Sequence, residues 1–183
     1  NNESETGVSI QKMVKKMDAG DIVESEKISI SRNETGGQLY TRLKYLAANT
    51  LNRFIDKLQK NELKHMTQDE RSVTFAQTIK REDGLINFKQ DSAEKIYHQV
   101  RALYPWPGTY CFLNGKRLKV LKAKLVKEKL EPLGVKKIKE GLLIGCKFDS
   151  ILLIEVQLEG KKAGTARNRW RRMNRYICNA ATC

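Results

Sequence analysis

Two runs of alternating apolar and polar residues meet at Asn114-Gly115, and this arrangement constrains the fold more than any other feature of the chain. Both residues of an Asn-Gly pair tolerate positive φ, so they make the two-residue turn whose twist suits an antiparallel hairpin. Tyr110-Cys111-Phe112-Leu113 leads into the turn and Arg117-Leu118-Lys119-Val120 leads out. Leu121-Lys122-Ala123-Lys124-Leu125 then alternates again, one residue out of phase. A β-bulge near Val120-Leu121 restores a single lysine-rich outer face. Further strands are expected from Gly141 to Cys146 and from Ile151 to Leu158, where Ile154, Val156 and Leu158 alternate with Glu155, Gln157 and Glu159. Short strands with a hairpin and a bulge predict a small antiparallel barrel.

Upstream the pattern differs. Gly7-Val8-Ser9-Ile10 and Asp21-Ile22-Val23 flank the loop Lys15 to Gly20, and Ile28 and Ile30 alternate with serines, which reads as short strands joined by turns. After Gly36-Gly37 the apolar residues Leu39, Leu43, Leu46, Ala47, Leu51, Phe54 and Leu58 follow helical spacing, predicting a long helix that ends near Asn61. The polar run Glu62 to Arg71 has no apolar face to bury and reads as a linker. Asp91 and Glu94 have capping-box spacing ahead of a second helix with Ala93, Ile96, Tyr97, Val100 and Leu103 on one face. Pro105-Trp106-Pro107-Gly108 must end that helix. Trp106, held between prolines, is expected to plug the junction between helix and barrel.

The charge is localised. Lys and Arg number 35 against 21 Asp and Glu, a net charge of +14. Ten of the cations face three acids between Gly115 and Glu140, and seven face none between Gly160 and Cys183, while the remainder balances. That asymmetry points to an anionic partner, with a solvated lysine-rich face as the other reading of the same residues. No stretch approaches the roughly 20 apolar residues of a membrane-spanning helix, so the chain reads as soluble. Cys111, Cys146, Cys178 and Cys183 lack zinc-ribbon spacing, so neither a metal nor a disulfide framework is expected, and reduced thiols suit a cytoplasmic protein. The acidic start is unlike a signal peptide, and Asn1 suggests that the sequence begins inside something longer.

Specific segments carry a family resemblance. Glu5-Thr6-Gly7-Val8-Ser9-Ile10 followed by Met17-Asp18-Ala19-Gly20-Asp21-Ile22 resembles the end of the catalytic domain of methionyl-tRNA formyltransferases. Thr74-Phe75-Ala76, Gly84-Leu85-Ile86-Asn87-Phe88, Val100-Arg101-Ala102-Leu103, Pro105-Trp106-Pro107-Gly108 and Gly160-Lys161-Lys162 are similar to that family's linker and C-terminal domain, in the same order. The resemblance covers about residues 5 to 163. It implies an α+β chain: at 1–62 the remnant of an α/β formyltransferase domain, at 63–83 a linker, at 84–163 a small OB-like antiparallel β-barrel that binds tRNA, and at 164–183 an atypical basic tail. The implied activity is formyl transfer from 10-formyltetrahydrofolate to the amine of methionyl-initiator tRNA, without a metal, by a monomer.

By resemblance Asp18 falls on the family's catalytic aspartate, which orients and charges a histidine; on spacing alone it reads as a turn residue beside Gly20, and only the family match reverses that. The family's Asn-x-His pair occurs nowhere in these residues, and His65 and His98 are expected to be solvated. The chain alone is therefore expected to be inactive. The tRNA contacts are expected from Lys80, Arg81, Arg101, Lys116, Arg117, Lys119, Lys122, Lys124, Lys161 and Lys162. The segment Ala163 to Met173 shows no such resemblance and no periodicity, and is either a degenerate end or an RNA-binding arm that offers Trp170 for stacking. Two other readings stand beside this one: a non-catalytic RNA-binding remnant, and a fragment of a sugar-nucleotide formyltransferase.

Overall fold

The computed structural model describes residues 3–113 and 115–170. The chain forms two compact units, the first reaching to Thr78 and the second starting at Ile79. In the first, β1 (Glu5–Gln11) pairs antiparallel with β2 (Ile22–Ser29), in a register running from Glu5 opposite Ser29 to Ile10 opposite Glu24. The helix α1 (Gly36–Gln59) packs against both strands. It starts where the stripe predicts because Thr35 and Gln38 close a capping box. The Thr35 hydroxyl accepts from the Gln38 N–H at 3.3 Å, and the Thr35 N–H donates to the Gln38 side chain at 2.9 Å. Two N–H groups that a helix start leaves without partners are thereby satisfied.

Little of α1 is buried: only Thr50 is fully enclosed among its described residues. Charge holds the helix to the hairpin. The Glu24 carboxylate, on β2, takes Lys57 Nζ at 2.6 Å and Arg53 Nε at 3.8 Å, and Arg53 also bonds Glu26. The polar run after α1, which its composition marks as a linker, is bonded to the first unit at Met66 and Gln68. Ile22 and Met66 exchange two backbone hydrogen bonds of 2.9 Å, and Gln68 Nε2 donates to the carbonyls of Asp18 and Gly20 at 2.9 and 2.6 Å. Backbone and amide bonds thus fasten a segment without an apolar face to the first residue of β2 and to the β1–β2 loop.

The second unit contains α2 (Ala93–Ala102) and an antiparallel sheet of β3 (Thr109–Leu113), β4 (Lys116–Val126), β5 (Val135–Lys137), β6 (Leu142–Gly145), β7 (Ser150–Leu158) and β8 (Gly164–Thr165). The strand order is β3-β4-β7-β6-β5, with β8 added beside β7. Strands β3 and β5 stand at the two ends, and among the described residues no ladder joins them into a closed barrel. Ser92 caps α2, its hydroxyl accepting from the Lys95 N–H at 3.2 Å, one residue later than the spacing predicts. Asp91 instead accepts from the Asn87 N–H at 3.1 Å and pairs with Lys95. Ile96 and Val100 of α2 join Leu118, Val120, Leu142, Ile144, Ile151, Leu153 and Val156 in one buried apolar cluster.

The bulge lies where the phase change predicts it: Val120 faces Val156 and Lys122 faces Glu155, leaving Leu121 unpaired. Leu118, Val120 and Ala123 thus all reach the core. Two tryptophans differ from expectation. Trp106 is 61% exposed and plugs nothing, since its prolines fix the backbone and not the ring's burial. The chain at Gly164 does not leave the domain as a tail. It adds β8, residues 166–170 are helical, Ala166 is fully buried, and Trp170 packs half-buried on the core instead of offering its face to a base. Arg169 secures this turn by donating to the carbonyl of Lys162 at 3.0 Å. Cys178, Cys183 and the rest of 171–183 lie outside the described residues.

Candidate nucleic-acid interface

The β3–β4 turn sets the register from which the interface follows. Gly115 has φ 74°, and Leu113 faces Lys116, Phe112 faces Arg117, Cys111 faces Leu118, and Tyr110 faces Lys119. Alternation sends Cys111 and Leu118 to the core beneath α2, and Tyr110, Phe112, Arg117 and Lys119 to the opposite, outer face. After the bulge Lys122 and Lys124 follow on that face. Strand β7 contributes Glu155 opposite Lys122 and Gln157 opposite Lys119. Glu159 accepts from the Arg117 N–H at 3.1 Å and donates its own N–H to the Arg117 carbonyl at 2.9 Å. A hollow of about 160 Å³ lies between Arg117, Lys119, Gln157, Leu158, Glu159 and Gly160. Four cations against two carboxylates leave this face positive.

The structure therefore brings Arg117, Lys119, Lys122 and Lys124 together and separates others from them. Lys116 is exposed but lies in the core-facing phase, opposite Leu113. Arg101 is half-buried on α2, across the sheet, with its guanidinium 5.1 Å from the Tyr97 ring centre. Lys80 and Arg81 are exposed ahead of a 3-10 turn at Glu82–Gly84 that lies against β3. Lys161 and Lys162 are exposed in the turn after β7. A second basic hollow, of about 420 Å³, is lined by Lys137, Ile138, Lys139 and Arg167, which no motif marks in the sequence.

Asp18 lies in the β1–β2 loop, exposed, with φ 55°. Asp adopts this left-handed conformation more readily than most residues. Its Oδ1 accepts from Gln11 Nε2 at 3.1 Å. The loop is drawn tight at Gly20, where a Cβ would sit 1.7 Å from the Lys12 carbonyl. His65 Nδ1 lies 3.8 Å from the carboxylate of Asp21, not of Asp18. His98 is half-buried beside Tyr97, unlike the solvated residue expected; burial and then the Arg101 charge hold its pKa below 6.5. Burial pushes the thiols of Cys111 and Cys146 up to about 12, which leaves them protonated and unreactive at neutral pH. Among the described residues no group of three or more His, Cys, Asp or Glu could hold a metal, and no helix is long and apolar enough to cross a membrane.

Two residues of the same outer face, Tyr110 and Phe112, are not marked by a count of charges. Their signal was present: they alternate with Thr109 and Cys111, so the turn register alone puts both rings beside Arg117 and Lys119.

Residues 78–174 match the family model described as formyl transferase, C-terminal domain, so the match runs past the point where the resemblance was expected to stop. The methionyl-tRNA formyltransferase of Geobacter metallireducens is 37% identical over 169 residues, 92% of this chain and 54% of that protein. That of Staphylococcus epidermidis is 37% identical over 163 residues, 87% of this chain and 52% of that protein. The chain thus spans about half the length of the curated relatives it matches. Among solved structures, HypX from Aquifex aeolicus in complex with tetrahydrofolic acid superposes with a TM-score of 0.69 at 17% identity, covering 97% of this chain and 31% of that one. The N-formyltransferase of Helicobacter canadensis, in complex with folinic acid and dTDP-3-aminofucose, gives 0.63 at 23% identity, with 83% and 56% covered. Methionyl-tRNA formyltransferase from Clostridium thermocellum gives 0.55 at 23% identity, with 69% and 53% covered. At these identities the structures share the fold.

Proposed function

Since the chain belongs to the formyltransferase family, through its C-terminal domain, we propose that it is the C-terminal part of a methionyl-tRNA formyltransferase whose second unit holds initiator tRNA. The observation that carries this reading is the outer face of β4, where the bulge keeps Arg117, Lys119, Lys122 and Lys124 in one phase. Phosphate contacts supply affinity and position, and a row of cations on a sheet can follow a nucleic-acid backbone. The OB-like barrel architecture belongs to the same reading, with the β3–β4–β7 face as its contact surface.

In this reading the donor is 10-formyltetrahydrofolate and the acceptor the amine of methionyl-initiator tRNA, in the cytoplasm, with the protein a monomer. Asp18 is the part of the transfer machinery that this chain contributes: its carboxylate orients and charges a histidine contributed by the rest of the parent. These 183 residues alone are expected to bind tRNA without turning over.

Binding of initiator tRNA measured across salt concentrations tests the proposal. Four phosphate contacts give a slope of log K against log salt of about −3 to −4. A slope near zero, or no binding at low salt, overturns the reading and favours a parent that formylates an amino sugar.

A further inference from the structure

The outer face combines its cations with two aromatic rings that the core does not use. Phe112 is 57% exposed on a sheet strand, although its neighbours Cys111 and Leu118 are buried. Its ring meets Tyr110 edge to face, with centres 5.6 Å apart and planes at 87°. The Arg117 guanidinium lies 5.8 Å from the Tyr110 ring centre. Both rings stand on β3, at one end of the sheet, and the partner strand sets Arg117 and Lys119 directly opposite them. An apolar partner would leave these cations desolvated and unpaired, whereas a polyanion matches their charge.

We propose that Phe112 and Tyr110 form a stacking platform for unpaired nucleotides, with Arg117 and Lys119 taking the phosphates on either side. Every base has a π-face and a duplex hides it, so the platform distinguishes unpaired from paired RNA. The cations alone do not make that distinction. The inference rests on the RNA-binding reading above and adds the kind of RNA segment that occupies this face.

The test uses the full chain with two fluorescent probes, an oligouridylate of about ten nucleotides and an RNA duplex. Phe112→Leu is expected to weaken oligouridylate binding about tenfold while leaving duplex binding and the salt slope unchanged. Phe112→Trp is expected to keep the affinity and to show indole emission quenched by oligouridylate, relative to the wild-type chain. If Phe112→Leu does not fold, quenching in Phe112→Trp supports the platform and its absence overturns it. A folded Phe112→Leu that binds oligouridylate like wild type, or loses both RNAs equally, overturns the platform and leaves the RNA-binding reading standing. A wild-type chain that binds neither probe overturns both.

Discussion

The first unit is held by charge and the second by burial. Every member of the buried apolar cluster, from Ile86 to Ala166, lies in the second unit. The first buries Thr50 and Gly20 and leaves Leu51, Ile55 and Leu58 of α1 between 41% and 50% exposed. Its helix is joined to its strands by the ion pairs of Glu24 and Glu26 with Arg53 and Lys57, and by hydrogen bonds from Arg42 to the Ser29 carbonyl and from Thr50 to Glu26. The difference teaches where the chain tolerates change. In the second unit a lost methylene opens a cavity, and in the first a lost carboxylate frees a helix.

The largest effect should come from Ile96→Ala, which empties a fully buried site and costs about 3–4 kcal/mol. Leu51→Ala, half-exposed on α1, should change stability by under about 0.5 kcal/mol. Urea unfolding monitored in both variants checks this, and equal losses would break the comparison. Next comes Glu24→Gln. Its side chain is 8% exposed and serves two cations that still reach water, so the loss should be about 1–2 kcal/mol. Amide exchange localises it: faster exchange in α1 with α2 unchanged supports the account, and equal change in both helices contradicts it.

The smallest effect is the pH dependence that His98 gives the second unit. The folded pKa of His98 lies below its ordinary value of 6.5, so the unfolded chain takes up the proton first. Stability is complete above that value and declines as pH falls below it. The neighbouring Glu94 partly offsets burial and the Arg101 charge. His98→Gln should flatten the decline, and an unchanged profile would show that His98 does not set it.

How much of this was legible follows from the range of each signal. The hairpin, the bulge and α1 rest on periodicity and turn chemistry within a dozen residues, and all three stand where the sequence puts them. Met66 and Gln68 gave no such signal, because a one-residue bridge and an amide reaching two carbonyls have no period. Ser92 and Asp91 compete for one cap, and the neighbouring Asn87 N–H draws Asp91 away. Ala166 and Trp170 stand four apart, a helical spacing hidden among the arginines around them. At the candidate interface, counting lysines gathers the β4 row together with Lys116 and Arg101, whereas register places Lys116 in the core-facing phase and Arg101 lies on α2 beside the Tyr97 ring, a separation that only the strand pairing reveals.

Charge neutralisation on the β3–β4–β7 face of the second unit tests the tRNA-binding proposal most directly. Binding of initiator tRNA should be measured against salt for the wild-type chain, for Arg117→Gln with Lys119→Gln, and for Lys44→Gln with Lys64→Gln in the first unit. Loss of two phosphate contacts should flatten the slope by about two units in the first double variant and leave the second unchanged. Equal flattening in both, or none in either, would contradict the placement of tRNA on the β3–β4–β7 face.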